Sequence, residues 1–402
     1  MLSSPSAETV RATLPAVGAA IGEITPLFYD KLFAAHPELL RDLFNRGNQA
    51  NGSQRQALAG SIATFATHLV EHPDERPDAM LERIAHKHAS LGVRADQYPV
   101  VREHLFAAIA EVLGDAVTEE VVAAWDEVYW LMANALIAIE ERLYEAAGAP
   151  GGDVWREYRV TGRHQETEDV VTFVVRPLDG APVPASRPGQ YVSVQVRLAD
   201  GARQIRQYSL SGQPDGALQF SVKRVAGDAS GSPAGEVSHH LHARVHDGDV
   251  LRISAPFGDV VPEESDRPLL LASAGIGCTP MIGILSRLAA DGSGRRVVSV
   301  HADRAPATHA FRAELRQLTE KLPHATAEVW YEQPEDGAGH GEGAVTRHEG
   351  RIDLSRIAVP EDTVAYLCGP VPFMKAARSQ LLAAGVSAAD IHYEVFGPDL
   401  GL

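Results

Sequence analysis

The sequence has little cysteine, a deficit of basic charge and no long hydrophobic run. Two cysteines in 402 residues cannot form a disulfide framework or a four-cysteine metal site. Lysine and arginine total 36 against 53 acidic residues, which gives a net charge of −17, and five like charges never occur in a row. A nucleic-acid-binding face is therefore not expected. The longest apolar run with helical pattern, from Val128 to Ile139 apart from Asn134, is too short to cross a bilayer.

The N-terminus and the composition indicate a globular chain. The first residues, MLSSPSAETVRA, lack the basic flank and apolar core of a signal peptide, so we expect a cytoplasmic protein without an integral membrane segment. The chain is 45% apolar and 22% charged, and its length predicts about two or three domains. No partner protein is implied, and we expect a monomer.

The pattern of the chain changes near residue 150. Only 8 of the 35 glycines come before it, and the segment AAGAPGGDV (146–154) has the composition of a linker. Apolar residues recur at helical spacing before this segment, whereas β-branched runs such as VTFVV and YVSVQV follow it. We predict an all-α domain over residues 1–147 and a β-rich domain over residues 153–262.

The last third of the chain, residues 266–402, alternates short apolar strands with helical segments. The predicted strands cover 269–272, 297–300, 327–330 and 364–367, and the predicted helices cover 280–290, 308–322 and 371–384. This alternation indicates parallel strands joined by crossover helices. The predicted fold is therefore a multidomain arrangement of all-α, β-rich and α/β parts.

Helical periodicity sorts the histidines of the first domain. On a helix from Asp78 to Leu91, His88 falls on the apolar face and His86 on the opposite face. An inward histidine costs free energy unless it is ligated or paired. His104 also faces inward on its own helix, so periodicity leaves His88 and His104 as alternative ligands. A satisfied core histidine is the third alternative.

Other polar side chains lie along the apolar stripes of the same domain. Tyr29, Gln54 and Glu140 each flank or continue a stripe, and Thr25 followed by Pro26 predicts a helix start just before Tyr29. Converging polar groups inside an all-α domain indicate a lined cavity. An ordinary helical domain with a few buried polar pairs is the alternative interpretation.

Several strings in this domain resemble the globin domain of flavohaemoglobins. They are FYDKLF (28–33), HPELLRDLFN (36–45), NQANGSQRQAL (48–58), IAHKHASLGVRADQY (84–98) and IEERLY (139–144). The resemblance implies that His88 is the proximal haem ligand, which favours it over His104.

The same resemblance implies roles for the other polar residues. Tyr29 and Gln54 correspond to the distal side, where dioxygen binds, and Phe44 corresponds to a phenylalanine that packs on the haem. Lys87, Tyr98 and Glu140 correspond to the group of residues on the proximal side of the haem. A carboxylate bonded to the ligand histidine makes it more electron-donating, which favours activation of oxygen over storage.

The β-rich region contains the strings PGQY (188–191) and RQYSL (206–210). A guanidinium offers a fork to a pyrophosphate, and tyrosine and serine suit a flavin ring. For RQYSL taken alone, the alternative interpretation is a strand with an ordinary arginine and tyrosine on its surface.

With VKR (222–224), GEVS (235–238) and APFGD (255–259) in this order, the region resembles the ferredoxin-reductase superfamily. That resemblance implies an antiparallel β-barrel that binds FAD through Tyr191, Arg206, Gln207, Tyr208, Ser209, Gly235, Val237 and Ser238. Because the stretch 226–237 is unusually long and glycine-rich, contacts there are expected to differ.

The string GIGCTP (275–280) stands between a strand and a helix, where glycines and a helix N-terminus suit a pyrophosphate. Thr279 is predicted as the helix cap and Pro280 as a first-turn residue. The proline replaces the third Rossmann glycine, as in reductases. The resemblance implies nicotinamide dinucleotide contacts at Gly275, Gly277, Cys278, Thr279, Pro280, Cys368, Gly369 and Pro370, and places Glu394 and Phe396 beside the flavin.

Cofactor preference depends on HADR (301–304), where an aspartate favours NADH and an arginine could receive the 2′-phosphate of NADPH. We expect NADH. The resemblance to flavohaemoglobins, which covers all three parts in the same order, implies a nitric oxide dioxygenase that converts NO and O₂ to nitrate, with electrons from NAD(P)H through FAD to haem b. Two alternatives remain: a reductase for hydroperoxides, ferric haem or free flavin, and a haem-based gas sensor.

Overall fold

The computed structural model describes residues 2–75, 77–227, 233–334 and 341–397. Helices come first, a closed antiparallel barrel follows, and a mainly parallel sheet ends the chain. The predicted fold class is therefore confirmed. The three parts are called the helical domain, the barrel domain and the sheet domain below.

The helical domain packs its helices around apolar stripes. Along the first helix Ile24, Phe28 and Leu32 are buried, and along the last Leu136 and Ile139 are buried. The helices are α1 (Ser4–Ala35), α2 (Pro37–Asp42), α3 (Arg46–Ala50), α4 (Ser53–Glu71), α5 (Asp78–Leu91), α6 (Tyr98–Leu113) and α7 (Glu119–Ala146).

The predicted helix start at Thr25 is wrong. Helix α1 runs through Pro26 without ending, and the Thr25 hydroxyl donates a hydrogen bond to the Ile21 carbonyl, 2.8 Å away. Ile24 and Phe28 are buried on either side of the proline. Burial of this continuous stripe outweighs the backbone hydrogen bond that a proline removes inside a helix.

Helix α7 is the one helix among the described residues that is long and apolar enough to cross a membrane by length and composition alone. The core helix of a helical domain has the same features. Here α7 packs against α1 and α5 and buries the carboxylate of Glu140.

The barrel domain closes six strands in the order β1–β2–β5–β4–β3–β6. Valines alternate with polar residues and point inward, where Phe173 and Phe220 stack with ring centroids 5.6 Å apart. In the β3–β4 pair, Arg206 lies opposite Val194 and Ser209 opposite Tyr191. The elements are β1 (Trp155–Thr167), β2 (Val170–Pro177), β3 (Tyr191–Arg197), β4 (Arg203–Gly212), β5 (Leu218–Lys223), α8 (Glu236–Arg244) and β6 (Val250–Ser254).

The sheet domain has the strand order β10–β11–β9–β8–β7–β12–β13, in which every pair but β10–β11 is parallel. The carboxyl ends of β7, β8 and β12 therefore meet at one edge. The elements are β7 (Leu269–Ala274), α9 (Cys278–Ala290), β8 (Val297–Asp303), α10 (Arg312–Lys321), β9 (Ala325–Tyr331), β10 (Gly341–Glu342), β11 (Val345–Glu349), β12 (Val364–Cys368), α11 (Val371–Ala383) and β13 (Ile391–Glu394).

Helix α10 begins at Arg312, four residues later than the predicted start at Thr308. The Thr308 hydroxyl donates to the Asp303 carboxylate, 2.6 Å away, which holds this stretch in a turn. Phe311 then has a φ of 60°, in the left-handed region, so a continuous helix across it is excluded.

The segment between α7 and β1, which has the composition of a linker, is packed against the protein. Ala149 and Val154 are buried, and the Trp155 indole donates to the Leu91 carbonyl, 3.3 Å away. A side chain at Gly92 would come within 2.9 Å of the Gly152 carbonyl oxygen. The helical and barrel domains are therefore held against each other at this joint.

Gly283 of α9 provides a test of the contact between the sheet and barrel domains. A methyl group there would lie 2.4 Å from the Leu210 carbonyl oxygen of β4. We predict that Gly283→Ala lowers the free energy of unfolding by about 1–3 kcal/mol, because the backbones must separate. The exposed control Gly18→Ala on α1, with nothing within 4 Å, is predicted to raise it by about 0.5–1 kcal/mol. Calorimetric melting curves would check both changes, and an unchanged melting temperature for Gly283→Ala would contradict the close contact.

Candidate functional site

A cavity of about 1610 Å³ extends from the helical domain to the barrel and the C-terminal segment. It lies between α1, α4, α5, α6 and α7 on one side and β4, α8 and β13 on the other. The predicted site residues that line it are Tyr29, Phe44, Gln54, Lys87, His88, Tyr98, Tyr191, Arg206, Gln207, Tyr208, Ser209, Gly235, Val237, Ser238, Thr279, Glu394 and Phe396.

A hydrogen-bonded group fixes the imidazole of His88. Its Nδ1 atom lies 2.8 Å from Glu140 Oε1 and 3.1 Å from the Tyr98 hydroxyl oxygen, and that hydroxyl donates to the same carboxylate oxygen at 2.6 Å. An ionised carboxylate only accepts hydrogen bonds, so Nδ1 carries the imidazole proton. The lone pair of the other nitrogen, Nε2, is then available to a ligand in the cavity that His88 lines.

Burial protects this group from solvent. The Glu140 side chain is 2% exposed, and burial together with the negative charge of Glu140 raises the pKa of Tyr98 well above its usual range. The tyrosine therefore stays protonated and acts as a donor throughout the physiological range.

His104, the alternative ligand, has different surroundings. Its ring packs edge-on against that of His36, with centroids 5.6 Å apart. It does not appear among the described residues that line the cavity. The geometry therefore favours His88.

On the opposite wall Tyr29 is 2% exposed. Burial raises the pKa of Tyr29 to about 12, although hydrogen bonding to Gln54 acts in the opposite direction. Phe44 meets the tyrosine ring edge-on, with centroids 5.8 Å apart. Sequence reasoning missed Gln49, which lies beside the same hydroxyl and is 8% exposed. The wall thus combines a hydroxyl donor and amides with aromatic rings.

The barrel side of the cavity contains a partly buried cation, the guanidinium of Arg206. Burial lowers the pKa of the Arg206 guanidinium, which donates to the Ile205 carbonyl at 2.7 Å and to Gln204 Oε1 at 3.3 Å. Over the described ranges it forms no ion pair with a carboxylate. A partly buried guanidinium with spare N–H groups at a cavity wall suits an anionic phosphate ligand.

Flat aromatic surface and a helix N-terminus line the same cavity as this arginine. Tyr208 stacks on Phe220 with centroids 5.6 Å apart, and Phe396 is 48% exposed at the cavity rim. Gly235 is the N-cap of α8, and Val237 and Ser238 lie in the first turn of that helix. Residues 228–232 of the glycine-rich stretch, and Pro398 beyond Phe396, lie outside the described residues.

The turn from β7 into α9 has the predicted position, but its local structure differs from the prediction. Gly277, not Thr279, is the N-cap, and the Thr279 hydroxyl donates back to the Ile276 carbonyl at 3.0 Å. Thr279 thus lies inside the helix, with Pro280 in its first turn. Gly277 is required by protein packing, because a side chain there would lie 2.4 Å from the Cys368 carbonyl oxygen. Gly275, with a φ of 53°, borders open space.

The remaining residues predicted to contact the nicotinamide dinucleotide surround this turn and do not line the large cavity. The Cys278 side chain is 4% exposed and that of Cys368 is fully buried. Any contact that these two cysteines make with a ligand therefore involves their backbone. The full set around the turn is Gly275, Gly277, Cys278, Pro280, Cys368, Gly369 and Pro370.

Sequence reasoning also missed the residues that join the helical domain to the barrel. The fully buried Gln204 amide donates to the carbonyls of Arg41 and Phe44, at 3.1 and 3.2 Å. Arg46 pairs with Asp200 and with Glu236, at 2.6 and 2.9 Å. A glutamine in a strand and an arginine in a corner have no distinguishing sequence pattern, so only the packed structure identifies them.

Comparison with known proteins agrees with this geometry. The globin family model matches residues 27–136, and the model for an oxidoreductase NAD-binding domain matches residues 271–379. The flavohaemoprotein of Chromobacterium violaceum is 44% identical over 409 residues, with 100% of both chains covered. That of Bordetella pertussis is 43% identical, with 99% of both covered.

Solved structures show the same relationship. The flavohaemoglobin of Malassezia yamatoensis with bound FAD and haem superposes with a TM-score of 0.89 at 38% identity, covering 98% of this chain and 100% of that chain. The FAD/NAD binding domain of nitric oxide dioxygenase from Vibrio cholerae has a TM-score of 0.54 at 39% identity, covering 60% and 99%.

The fold and the site define a class of protein in which a globin is fused to a two-domain, NAD(P)H-dependent oxidoreductase. Within that class the full-length similarity is decisive. The chain belongs to the flavohaemoprotein family.

The two cysteines provide a test of the sheet-domain core. Burial raises the pKa of both the Cys278 and Cys368 thiols, and the thiolate is the reactive form. We predict that neither thiol reacts with a disulfide-exchange reagent at neutral pH in the native protein, and that both react in denaturant. Absorbance of the released thiol would measure this, and rapid reaction of the native protein would contradict the described packing.

Proposed function

We propose that this protein is a nitric oxide dioxygenase, which converts NO and O₂ to nitrate with electrons from NAD(P)H. One observation carries the proposal: a single cavity joins His88, with its buried carboxylate partner, to Arg206 and Phe396. A continuous cavity allows two redox groups to lie close together. The relatives that contain FAD and haem, or that are named nitric oxide dioxygenase, support the proposal.

The residues fit haem b in the helical domain and FAD in the barrel. The apolar walls and the available Nε2 atom of His88 suit a haem, and the partly buried Arg206 guanidinium suits the FAD pyrophosphate. When bound, haem would supply an iron for oxygen chemistry, and FAD would take a hydride from NADH or NADPH and release single electrons.

On the haem side, each residue has a distinct task. His88 would ligate the iron, while Glu140 and Tyr98 hold its ring and increase its electron donation. Because burial keeps the Tyr29 hydroxyl protonated, it would act with Gln54 as a polar contact for bound substrate. Phe44 would pack on the macrocycle.

On the reductase side, the barrel would orient the flavin. Arg206, Ser209 and the N-terminus of α8 at Gly235 would hold the phosphates, with Gln207, Val237 and Ser238 beside them. Tyr191, Tyr208 and Phe396 would enclose the ring system, with Glu394 at its edge. The turn between β7 and α9 and the residues Cys368 to Pro370 would receive the nicotinamide dinucleotide.

We propose a preference for NADH. The Asp303 carboxylate lies at the carboxyl end of β8, where it accepts hydrogen bonds from the Thr308 hydroxyl and the Arg304 amide, at 2.6 and 2.7 Å. A fixed negative charge at this position disfavours a 2′-phosphate. Both modules lie in one chain, so electron transfer needs no protein partner, and we place the protein in the cytoplasm as a monomer.

The proposed activity is tested by following NO, O₂ and nitrate together, with NADH and the purified holoprotein. We expect equal consumption of NO and O₂, a matching yield of nitrate, and saturation by NO. Saturation by hydroperoxide or a ferric haem protein without nitrate formation would identify a general reductase. Slow turnover that responds only to ligand binding would identify a sensor. Either result would overturn the proposal.

The ligand assignment is tested by a matched pair of variants. His88→Ala is expected to lose the haem absorption band and to keep NADH-dependent bleaching of flavin, because the barrel and sheet domains are unchanged. His104→Ala, whose ring packs on His36, is expected to keep haem. Absorption spectra after haem reconstitution would show both results, and normal haem ligation in His88→Ala would refute the assignment.

A further inference from the structure

Helix α5 has two faces with different partners. The inner face carries His88, which lines the cavity and bonds to Glu140. We define its outer face by Arg83, His86 and Lys87, of which Arg83 and Lys87 also border the cavity. Periodicity assigns such a face to solvent, but here it contacts both the barrel and the sheet domain.

Arg83 belongs to the helical domain and contacts each of the other two domains. Its guanidinium lies over the Tyr393 ring, 4.4 Å from the centroid, and donates to the Tyr393 carbonyl at 3.3 Å. Its Nε atom lies 3.5 Å from Asp259 Oδ2 in the barrel domain. The side chains of Arg83 and Asp259 are 33% and 22% exposed, so the junction is partly shielded from water.

Neighbouring residues strengthen this junction. The Lys87 ammonium donates to the Gly397 carbonyl at 3.4 Å, beyond Phe396 in the same C-terminal segment. The Gly258 amide donates to His86 Nδ1 at 3.0 Å. The helix that carries the proposed haem ligand is therefore bonded through Arg83 and Lys87 to the segment that borders the proposed flavin site, and through Arg83 and His86 to the barrel domain.

We propose that Arg83 is a positioning residue for electron transfer from flavin to haem. This inference rests on the proposed function. In that step a reduced flavin loses one electron and the ferric iron gains it. Arg83 takes no part in the exchange and acts by fixing α5 against the C-terminal segment, Ile391–Gly397. Small displacements of reacting groups change rates strongly, so the position of this segment sets the rate.

The chemistry of arginine suits this role better than that of lysine. A planar guanidinium can stack on an aromatic face while its edge donates to a carboxylate and a carbonyl. Arg83 makes all three kinds of contact. A lysine could keep the attraction to Asp259 but would lose the stacked, multiply bonded geometry.

The experiment uses the holoenzyme carrying Arg83→Met or Arg83→Lys. The matched control is Arg142→Met, which removes an exposed arginine that pairs with Glu82 of α5, at 3.2 Å. Anaerobic mixing with NADH separates flavin reduction from the later change in the haem band. For Arg83→Met we expect unchanged flavin reduction and haem reduction slowed about tenfold. Arg83→Lys should recover part of the rate, and Arg142→Met should match the parent protein.

A second measurement does not depend on activity. Hydrogen exchange of the Ile391–Gly397 amides should be faster in Arg83→Met than in Arg142→Met, because the segment loses its contact. In a double-mutant cycle, Arg83→Met should have a smaller effect once Tyr393→Leu has removed the ring, with only the contacts to the residue-393 carbonyl and to Asp259 left to lose.

The outcomes distinguish this inference from the proposed function. The experiment contains no NO, so its result does not depend on whether NO is the substrate. No haem reduction in the parent protein would refute the electron path itself. Haem reduction and amide exchange at parental rates in Arg83→Met would overturn the positioning role, as would equal slowing of flavin and haem reduction.

Discussion

The hydrogen bonds that His88 and Tyr98 make to the buried carboxylate of Glu140 determine much of the architecture. A carboxylate buried without donors costs several kcal/mol, and two donors on different helices remove that cost only if α5, α6 and α7 keep their positions. The same bonds fix the imidazole so that Nε2 is the atom open to the cavity. The same hydrogen bonds therefore determine both the packing of these three helices and the orientation of the proposed ligand.

Once the inner face of α5 is fixed, its outer face is fixed as well. Arg83 and His88 are five positions apart, or about 140° around the helix. One short helix therefore holds the proposed iron ligand on one side and contacts the reductase on the other. Any movement of α5 would disturb both sides together, which makes this helix a direct mechanical connection between the two halves of the proposed reaction.

Periodicity and motif order predicted the parts of the site that depend on local pattern. The bounds of α5, the inward face of His88 and the order of the β and α/β motifs all follow from spacing along the chain. The helix start predicted at Thr25 was wrong because burial of the apolar stripe outweighed the helix-breaking effect of Pro26. The cap predicted at Thr279 was wrong because the helix begins earlier, where Gly277 is the cap and packs against Cys368. Arg83 and Gln204 were not identifiable, since their partners lie up to 310 and 164 residues away and depend on domain packing.

The packed joint between α7 and β1 has a consequence for kinetics. Gly92 lies so close to the Gly152 carbonyl that a side chain at Gly92 would come within 2.9 Å of that oxygen, so the globin cannot swing far from the barrel. Two separate proteins would need to collide before each electron passed between them. Here the effective concentration of one module around the other is set by the fold, and the proposed electron transfer between them would be an intramolecular event that dilution does not slow.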